Sequence, residues 1–353
     1  MTVAPLQRRL PGLGQRRSSL PRWAVAGVVA AAVGVSLLLF AVTPLQGRAD
    51  FVVVTLVLIV AGVWVASWAV EGRRRAKDRL ATSAALVFLA LAVLPLVFVV
   101  GFTVQRGLKR FSAAFLSHSM AGIGPLDTGG GAYHAILGTL EQVLLASLIS
   151  IPLGLLVAVY VTEYAGGPLT TAVRFLIDVM TGIPSVVAGL FVLAFWVLAL
   201  HEGFSGFAGA LALAVLELPI VVRSAEEMIK LVPASLREAS YALGVPRWKT
   251  IVRIVLPTAA TGITTGIMLA IARVTGETAP VLLVVGNNDF INRNPFAGGQ
   301  SSLPLFVFQG AGSSSQFDVD RAWAAALTLL VVVGVLYVAA RVITRRSSFR
   351  AHR

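Results

Sequence analysis

The chain contains no cysteine, so disulfides and thiolate metal sites are excluded. Only 13% of its 353 residues are charged, about half of the roughly 25% typical of soluble domains. It lacks the G-x-x-x-x-G-K-[ST] phosphate loop, so ATP must be bound by another polypeptide if it is used at all. Its four histidines, His118, His134, His201 and His352, form no H-E-x-x-H or comparable ligand cluster, which argues against a metal site. No nucleophile and base are paired, so no catalytic residues are assigned. No long polar stretch is present that would form a soluble enzyme domain.

Apolar residues are abundant. The chain is 57% hydrophobic, and a membrane-crossing helix needs about 20 such residues in succession. Eight candidates follow: Ala24–Thr43, Phe51–Val70, Leu80–Val104, Ile136–Tyr160, Phe175–Leu200, Phe207–Val222, Thr258–Val285 and Ala322–Ile343. The sixth is short for a full crossing. The expected fold class is therefore an all-α integral membrane protein of about eight spans, with both termini on one side. If that side is cytoplasmic, 22 of the 29 basic residues lie inside, six lie outside, and Arg273 falls within a span. The positive-inside rule favours this orientation. The same distribution accounts for the net charge of +13 without a basic nucleic-acid-binding face. Arg16-Arg17 ahead of the first apolar run could suggest a twin-arginine export signal. The run is too long for a signal h-region and no cleavage pattern follows, so an uncleaved helix with a positive flank is expected.

The stretch 231–257 carries the most information. Ser235 and Glu238 have the spacing of a capping box, which starts a helix at Leu236. Leu236, Ala239, Ser240 and Leu243 recur at i, i+3, i+4 and i+7, making one small, mostly apolar stripe. Gly244 suits a left-handed helix end. Pro246 can open a second helix, which Pro257 ends or kinks. Such a stripe outside the bilayer needs cover, and the residues alone leave lipid headgroups and a docked partner equally open.

Charges inside spans are functional candidates by default. Arg273 and Glu277, four residues apart, are expected on one helix face. Gly262, Gly266 and Ala270 share that face, and G-x-x-x-G lets another helix come close. The pair reads either as a self-neutralising ion pair that packs subunits or as a translocation-path site, where arginine's forked donors suit phosphate oxygens. Asp178, Glu141 and Glu217 are read as structural.

Glu238-Ala239-Ser240, Gly244 and Ile254-Val255-Leu256-Pro257 together resemble the EAA loop of type I ABC importer permeases, with Ser240 in place of the second alanine. The resemblance widens through Gly138-Thr139-Leu140, Ile151-Pro152-Leu153-Gly154, Tyr160 with Glu163-Tyr164, Thr181-Gly182-Ile183-Pro184-Ser185, and Pro219-Ile220 with Arg223 and Glu226-Glu227-Met228. The segment Ala272-Arg273, Gly276-Glu277-Thr278-Ala279-Pro280 is similar to phosphate-importer permeases of the PstA type. Ser301-Ser302-Leu303-Pro304-Leu305 and Asp320-Arg321-Ala322-Trp323 agree.

The resemblance implies a non-catalytic, multi-pass subunit in the bacterial cell membrane, importing inorganic phosphate. Its implied partners are a PstC-type permease, a dimer of ATP-binding subunits carrying ATP and Mg, an extracytoplasmic phosphate-binding protein and a phosphate-sensing regulator, besides membrane lipid. It implies a path at Arg273 and Glu277 and ATPase docking by Leu236, Glu238, Ala239, Ser240, Leu243 and Gly244. It also implies a six-span core at 80–343 that contains the docking loop. The basic tail with two extra helices at 1–79 and the short basic tail at 344–353 have no role it supplies. Importers of phosphonate, sulfate or molybdate, and a phosphate-sensing scaffold, are the alternatives. A secondary transporter is disfavoured, because no inverted repeat is visible.

Overall fold

The computed structural model describes residues 20–42, 47–164 and 166–350. Most of the basic N-terminal flank, Arg16-Arg17, the Thr43 end of the first expected span, and His352 lie outside the described residues. Among the described residues all regular structure is helical. Seven helices are long and apolar enough to cross a membrane, and one bent pair makes an eighth if counted as a single span. The chain divides into two compact units, residues 1–100 and 101–353.

In the first unit α1 (Arg22–Val42) packs along α2 (Arg48–Glu71). Buried Ser36 and Thr55 bond across the pair at 2.9 Å. Helix α3 (Arg73–Gly107) begins directly after Gly72 and runs 35 residues, most of them in this unit. Glu71 ties the three elements together at one end. It accepts from the Leu20 amide at 2.6 Å, from Ser67 at 2.7 Å and from Arg79 at 2.6 and 2.9 Å.

The second unit adds α4 (Ala113–Ser117), α5 (Tyr133–Glu163), α6 (Pro168–Thr181), α7 (Ser185–Val192) and α8 (Gly206–Lys230). Helix α8 is its centre, packed on α5 over most of its length and flanked by α6, α7 and the later helices. Ser205 caps it by accepting from the Ala208 amide at 3.2 Å, as an N-cap serine should. Its 25 residues exceed the short span expected from Phe207–Val222. The helix carries straight through Pro219 and on past Val222 into a charged final turn.

Two expected spans are interrupted. Phe175–Leu200 is no single helix: α6 and α7, the latter continued by a π-helical segment at Leu193–Ala199, meet at a 107° bend. Pro184 sits there in extended geometry, φ −59° and ψ 140°, and a proline disfavours helix in the residue before it. Thr258–Val285 is likewise divided. After α9 (Ala234–Ala242), helix α10 (Arg247–Thr250) runs through a π-helical turn at Ile251–Val255 into α11 (Leu256–Thr275). That wide turn leads into Pro257 without ending the helix, because i+5 bonding accommodates the missing donor. Gly276 caps α11, and α12 (Ala279–Val284) starts anew around Pro280. Helices α13 (Leu303–Ala311) and α14 (Gln316–Arg350) pack together to complete the unit.

Candidate docking helix and membrane pathway

Helix α9 and the turn after it form the short helix–turn–helix expected at 231–257, with a different start. The helix begins at Ala234 behind Pro233, and no side chain caps it. Ser235 lies inside the first turn, so the Ser235–Glu238 capping box does not form. Pro233 supplies the entry instead: its fixed φ of −56° and its carbonyl, which accepts from the Leu236 amide, set the first turn. The other end is as expected. Gly244 has φ +75°, and the Leu243, Gly244 and Val245 amides bond back to the Ala239, Tyr241 and Ser240 carbonyls.

The two faces of α9 are chemically distinct. Leu236, Glu238, Ala239, Leu243 and Gly244 are exposed, with Leu243 at 83%. Ser240 turns inward, buried, and its hydroxyl meets that of buried Thr250 at 2.7 Å. It braces the two short helices against each other, so it leaves the exposed stripe to Leu236, Ala239 and Leu243.

Arg237, one residue from the exposed face, carries the attachment to the bundle. Its guanidinium donates to Glu163 Oε1 at 3.1 and 2.7 Å, to the Ile229 carbonyl at 2.9 Å and to the Val232 carbonyl at 2.6 Å. Glu163 is the last residue of α5, and Ile229 lies in the last turn of α8. Arg247 stacks over the neighbouring Tyr164 ring, 5.1 Å from its centroid. Helix α9 is thus fastened to the ends of two packed spans, α5 and α8. Nothing in local periodicity singles out Arg237; the only hint is that Glu163 and Arg237 are opposite charges near two helix ends.

At the same end, Glu226 is buried and receives Arg223 at 3.1 Å and Lys230 at 2.7 Å, with Arg174 at 3.7 Å. Arg223 also pairs with Asp178. Asp178 therefore clasps α6 to α8, in keeping with a structural reading. Glu141 accepts from Gln300 Nε2 at 2.6 Å, and Glu217, fully buried in α8, accepts from Ser147 at 3.0 Å. Gln300 also accepts from Gln142 at 3.0 Å, so it fastens the loop after α12 onto α5.

On α11 the small-residue stripe packs inside the chain. A Cβ at Gly262 would lie 2.2 Å from Met228 Sδ, and one at Gly266 would lie 2.3 Å from Ser224 Cβ, both on α8. Ala270 is buried. Arg273 follows in the last turn of α11 and is exposed. Glu277 does not share its helix face: α11 ends at Thr275, and Glu277 lies in the non-helical break, partly buried, its amide bonded to the Val274 carbonyl at 3.1 Å. The two charges form no ion pair among the described residues. Gly276 ends the helix before a second turn could align them.

Residues 150–350 match the family described as binding-protein-dependent transport system inner membrane component. A relative named phosphate transport system permease protein PstA 1, from Mycobacterium tuberculosis, is 47% identical over 272 residues, covering 77% of this chain and 90% of that one. The chain belongs to this permease family. The Mycobacterium leprae and Yersinia pestis proteins named PstA are 46% and 40% identical, covering 74% and 76% of this chain and 86% and 90% of their own lengths. A solved MetNI methionine ABC transporter aligns with 62% of this chain and 94% of its own, at 19% identity and a TM-score of 0.48, too distant to weigh beside the sequence relatives. The chain is thus a multi-pass inner-membrane component of a binding-protein-dependent transport system.

Proposed function

We propose that this chain is the PstA-type permease subunit of an ATP-driven importer of inorganic phosphate. The observation that carries the reading is the two-sided helix α9: an exposed face at Leu236, Ala239 and Leu243, and an opposite side bonded through Arg237 to α5 and α8. A dimer of ATP-binding subunits, holding ATP and Mg, docks on the exposed face, and its closure moves the bonded spans. The termini and α9 face the cytoplasm, and an extracytoplasmic binding protein delivers phosphate to the opposite side. The permease core spans 80–343, preceded by the extra segment 1–79 and followed by the tail 344–353. A PstC-type permease covers the exposed Arg273 and completes the path. Non-helical backbone at membrane depth is tolerated where it lines a polar cavity, and the break at Gly276–Thr278, next to Arg273, fits that use. The names of the relatives support phosphate over phosphonate, sulfate or molybdate. A phosphate-sensing regulator would read the state of the same assembly.

The test is reconstitution of the chain with its PstC-type and ATP-binding partners and the binding protein, followed by uptake of labelled phosphate. ATP-dependent uptake that excess sulfate, molybdate and phosphonate leave intact is the expected result. Uptake lost to one of those competitors, or no uptake from an assembled complex, would overturn the reading.

A further inference from the structure

Helices α2 and α3 diverge from Gly72, whose φ of +86° turns the chain sharply between them. Helix α2 packs along α1 instead. The divergence leaves a cleft of about 440 Å³ whose lining side chains are all apolar or aromatic, among them Val53, Val57 and Trp64 on one wall and Leu80, Ala84 and Phe88 on the other. That volume lies within the range of ligand pockets, roughly 300–1,000 Å³. From Val53 to Trp64 the cleft extends about 16 Å along α2, at 1.5 Å per residue. Both walls belong to helices long and apolar enough to cross a membrane.

The end of the cleft nearest Gly72 is basic. Arg79 is engaged by Glu71. Arg73 and Lys77 are exposed and form no ion pair among the described residues. Arg73, Lys77, Leu80, Ala84 and Phe88 recur at i, i+4, i+7, i+11 and i+15, one stripe of α3. The two cations thus continue the cleft wall by one and two turns beyond its apolar part. Stacked Trp64 and Trp68, 5.4 Å between centroids, mark the same end, as aromatic residues do at the headgroup level. Arg75 falls on the opposite side of α3.

We propose that this cleft is a binding site for an anionic phospholipid, with an acyl chain between α2 and α3 and the phosphate headgroup held by Arg73 and Lys77. Lysine and arginine can reach such a headgroup while their stems lie on apolar surface, and basic pockets between spans attract anionic lipid heads. The charge at one end and the lipid-length apolar wall favour this occupant over a helix of another protein, which would leave both cations without a counter-charge.

The complex with its partner subunits, purified in mild detergent from nanodiscs containing equal phosphatidylglycerol and phosphatidylcholine with matched chains, is analysed by native mass spectrometry. Phosphatidylglycerol is expected to be retained over phosphatidylcholine by roughly tenfold or more, the scale of two surface cations acting on an anionic lipid. The double variant Arg73→Gln/Lys77→Gln should abolish the preference. The charge-preserving Arg73→Lys/Lys77→Arg and the opposite-face Arg75→Gln should keep it. Ala84→Trp, which fills the cleft without touching charge, should remove bound lipid. Equal retention of the two lipids, no retention, an unchanged double variant or an Arg75→Gln variant that loses the preference equally would each overturn the site. So would a photo-crosslinker at Val60 that captures protein in place of lipid.

Discussion

Two nitrogens of Arg237 donate to one carboxylate oxygen of Glu163, at 3.1 and 2.7 Å, across 74 residues of sequence. Both side chains are largely shielded, at 19% and 6% exposure. Removing one partner of a buried pair strands the other charge, at a cost of about 3–5 kcal/mol for full burial. Arg237→Ala should cost somewhat less, since its guanidinium is partly exposed. It should lower the thermal midpoint of the purified complex and weaken the dependence of ATPase rate on phosphate-loaded binding protein. Glu163→Gln, which keeps an acceptor, should be milder. A double-mutant cycle on ATPase coupling checks the pair: additive effects would mean that Arg237 does not act through Glu163.

Gly244 separates backbone demand from docking. Its φ of +75° suits glycine, asparagine and, less well, aspartate, while a Cβ there would meet nothing within 4 Å. Gly244→Val should cost about 1–2 kcal/mol from the left-handed geometry alone. Gly244→Asn and Gly244→Asp share backbone tolerance but differ in charge at the proposed docking surface. The asparagine variant should retain the ATP-binding subunits on co-purification, and the aspartate variant should lose them or their coupling. Equal retention with full coupling in both would remove Gly244 from the docking surface.

The spans and the short helix–turn–helix at 231–257 were legible because both are written locally, in apolar length and in the spacing of Glu238, Gly244 and Pro257. What escaped is partly tertiary and partly local. Ser240 has the helical spacing of the exposed stripe, yet Thr250 claims its hydroxyl. The capping-box spacing at Ser235 is present, yet Pro233 starts the helix two residues earlier than expected, at Ala234. Arg237 looks like one more exposed cation until Glu163 is brought to it. The break at Gly276 and the bend at Pro184 fall inside runs apolar enough to hide them, because hydropathy averages over a turn that a single glycine or proline ends.

The packing of α11 on α8 gives a stability prediction with an internal control. Any side chain at Gly266 enters the space of Ser224. Gly266→Leu should therefore destabilise the folded chain by the ~1–3 kcal/mol typical of overpacking, or more, read as a lowered thermal midpoint in detergent. Gly276→Ala, where a Cβ would meet its nearest neighbour, the Arg273 carbonyl, at 3.7 Å, should leave the midpoint nearly unchanged. A Gly266→Leu variant as stable as the parent would contradict the close approach of the two helices.

The absence of cysteine permits a direct test of orientation. In vesicles prepared without the ATP-binding subunits, a single cysteine at exposed Leu243 should react with a membrane-impermeant maleimide only when the vesicles are inside-out. One at Ser313, in the turn between α13 and α14, should react only in right-side-out vesicles or intact cells. Reversed labelling would invert the proposed topology and with it the assignment of α9 to the ATPase side.

Arg273 lies at the end of a helix, on a surface its own chain leaves open, beside a backbone break. If it binds phosphate there, the fork geometry of guanidinium should matter as well as its charge. Arg273→Ala should abolish phosphate uptake while the complex assembles normally. Arg273→Lys keeps the charge but loses the bidentate contact. Charge-assisted hydrogen bonds are worth about 1.5–3 kcal/mol, so uptake should fall roughly ten- to a hundredfold, at about 1.4 kcal/mol per tenfold. Glu277→Gln distinguishes the remaining possibility. Because Glu277 is off the helix and unpaired with Arg273, its neutralisation should leave assembly unchanged, which a self-neutralising packing pair would not allow. Normal uptake by Arg273→Ala would show that phosphate crosses elsewhere.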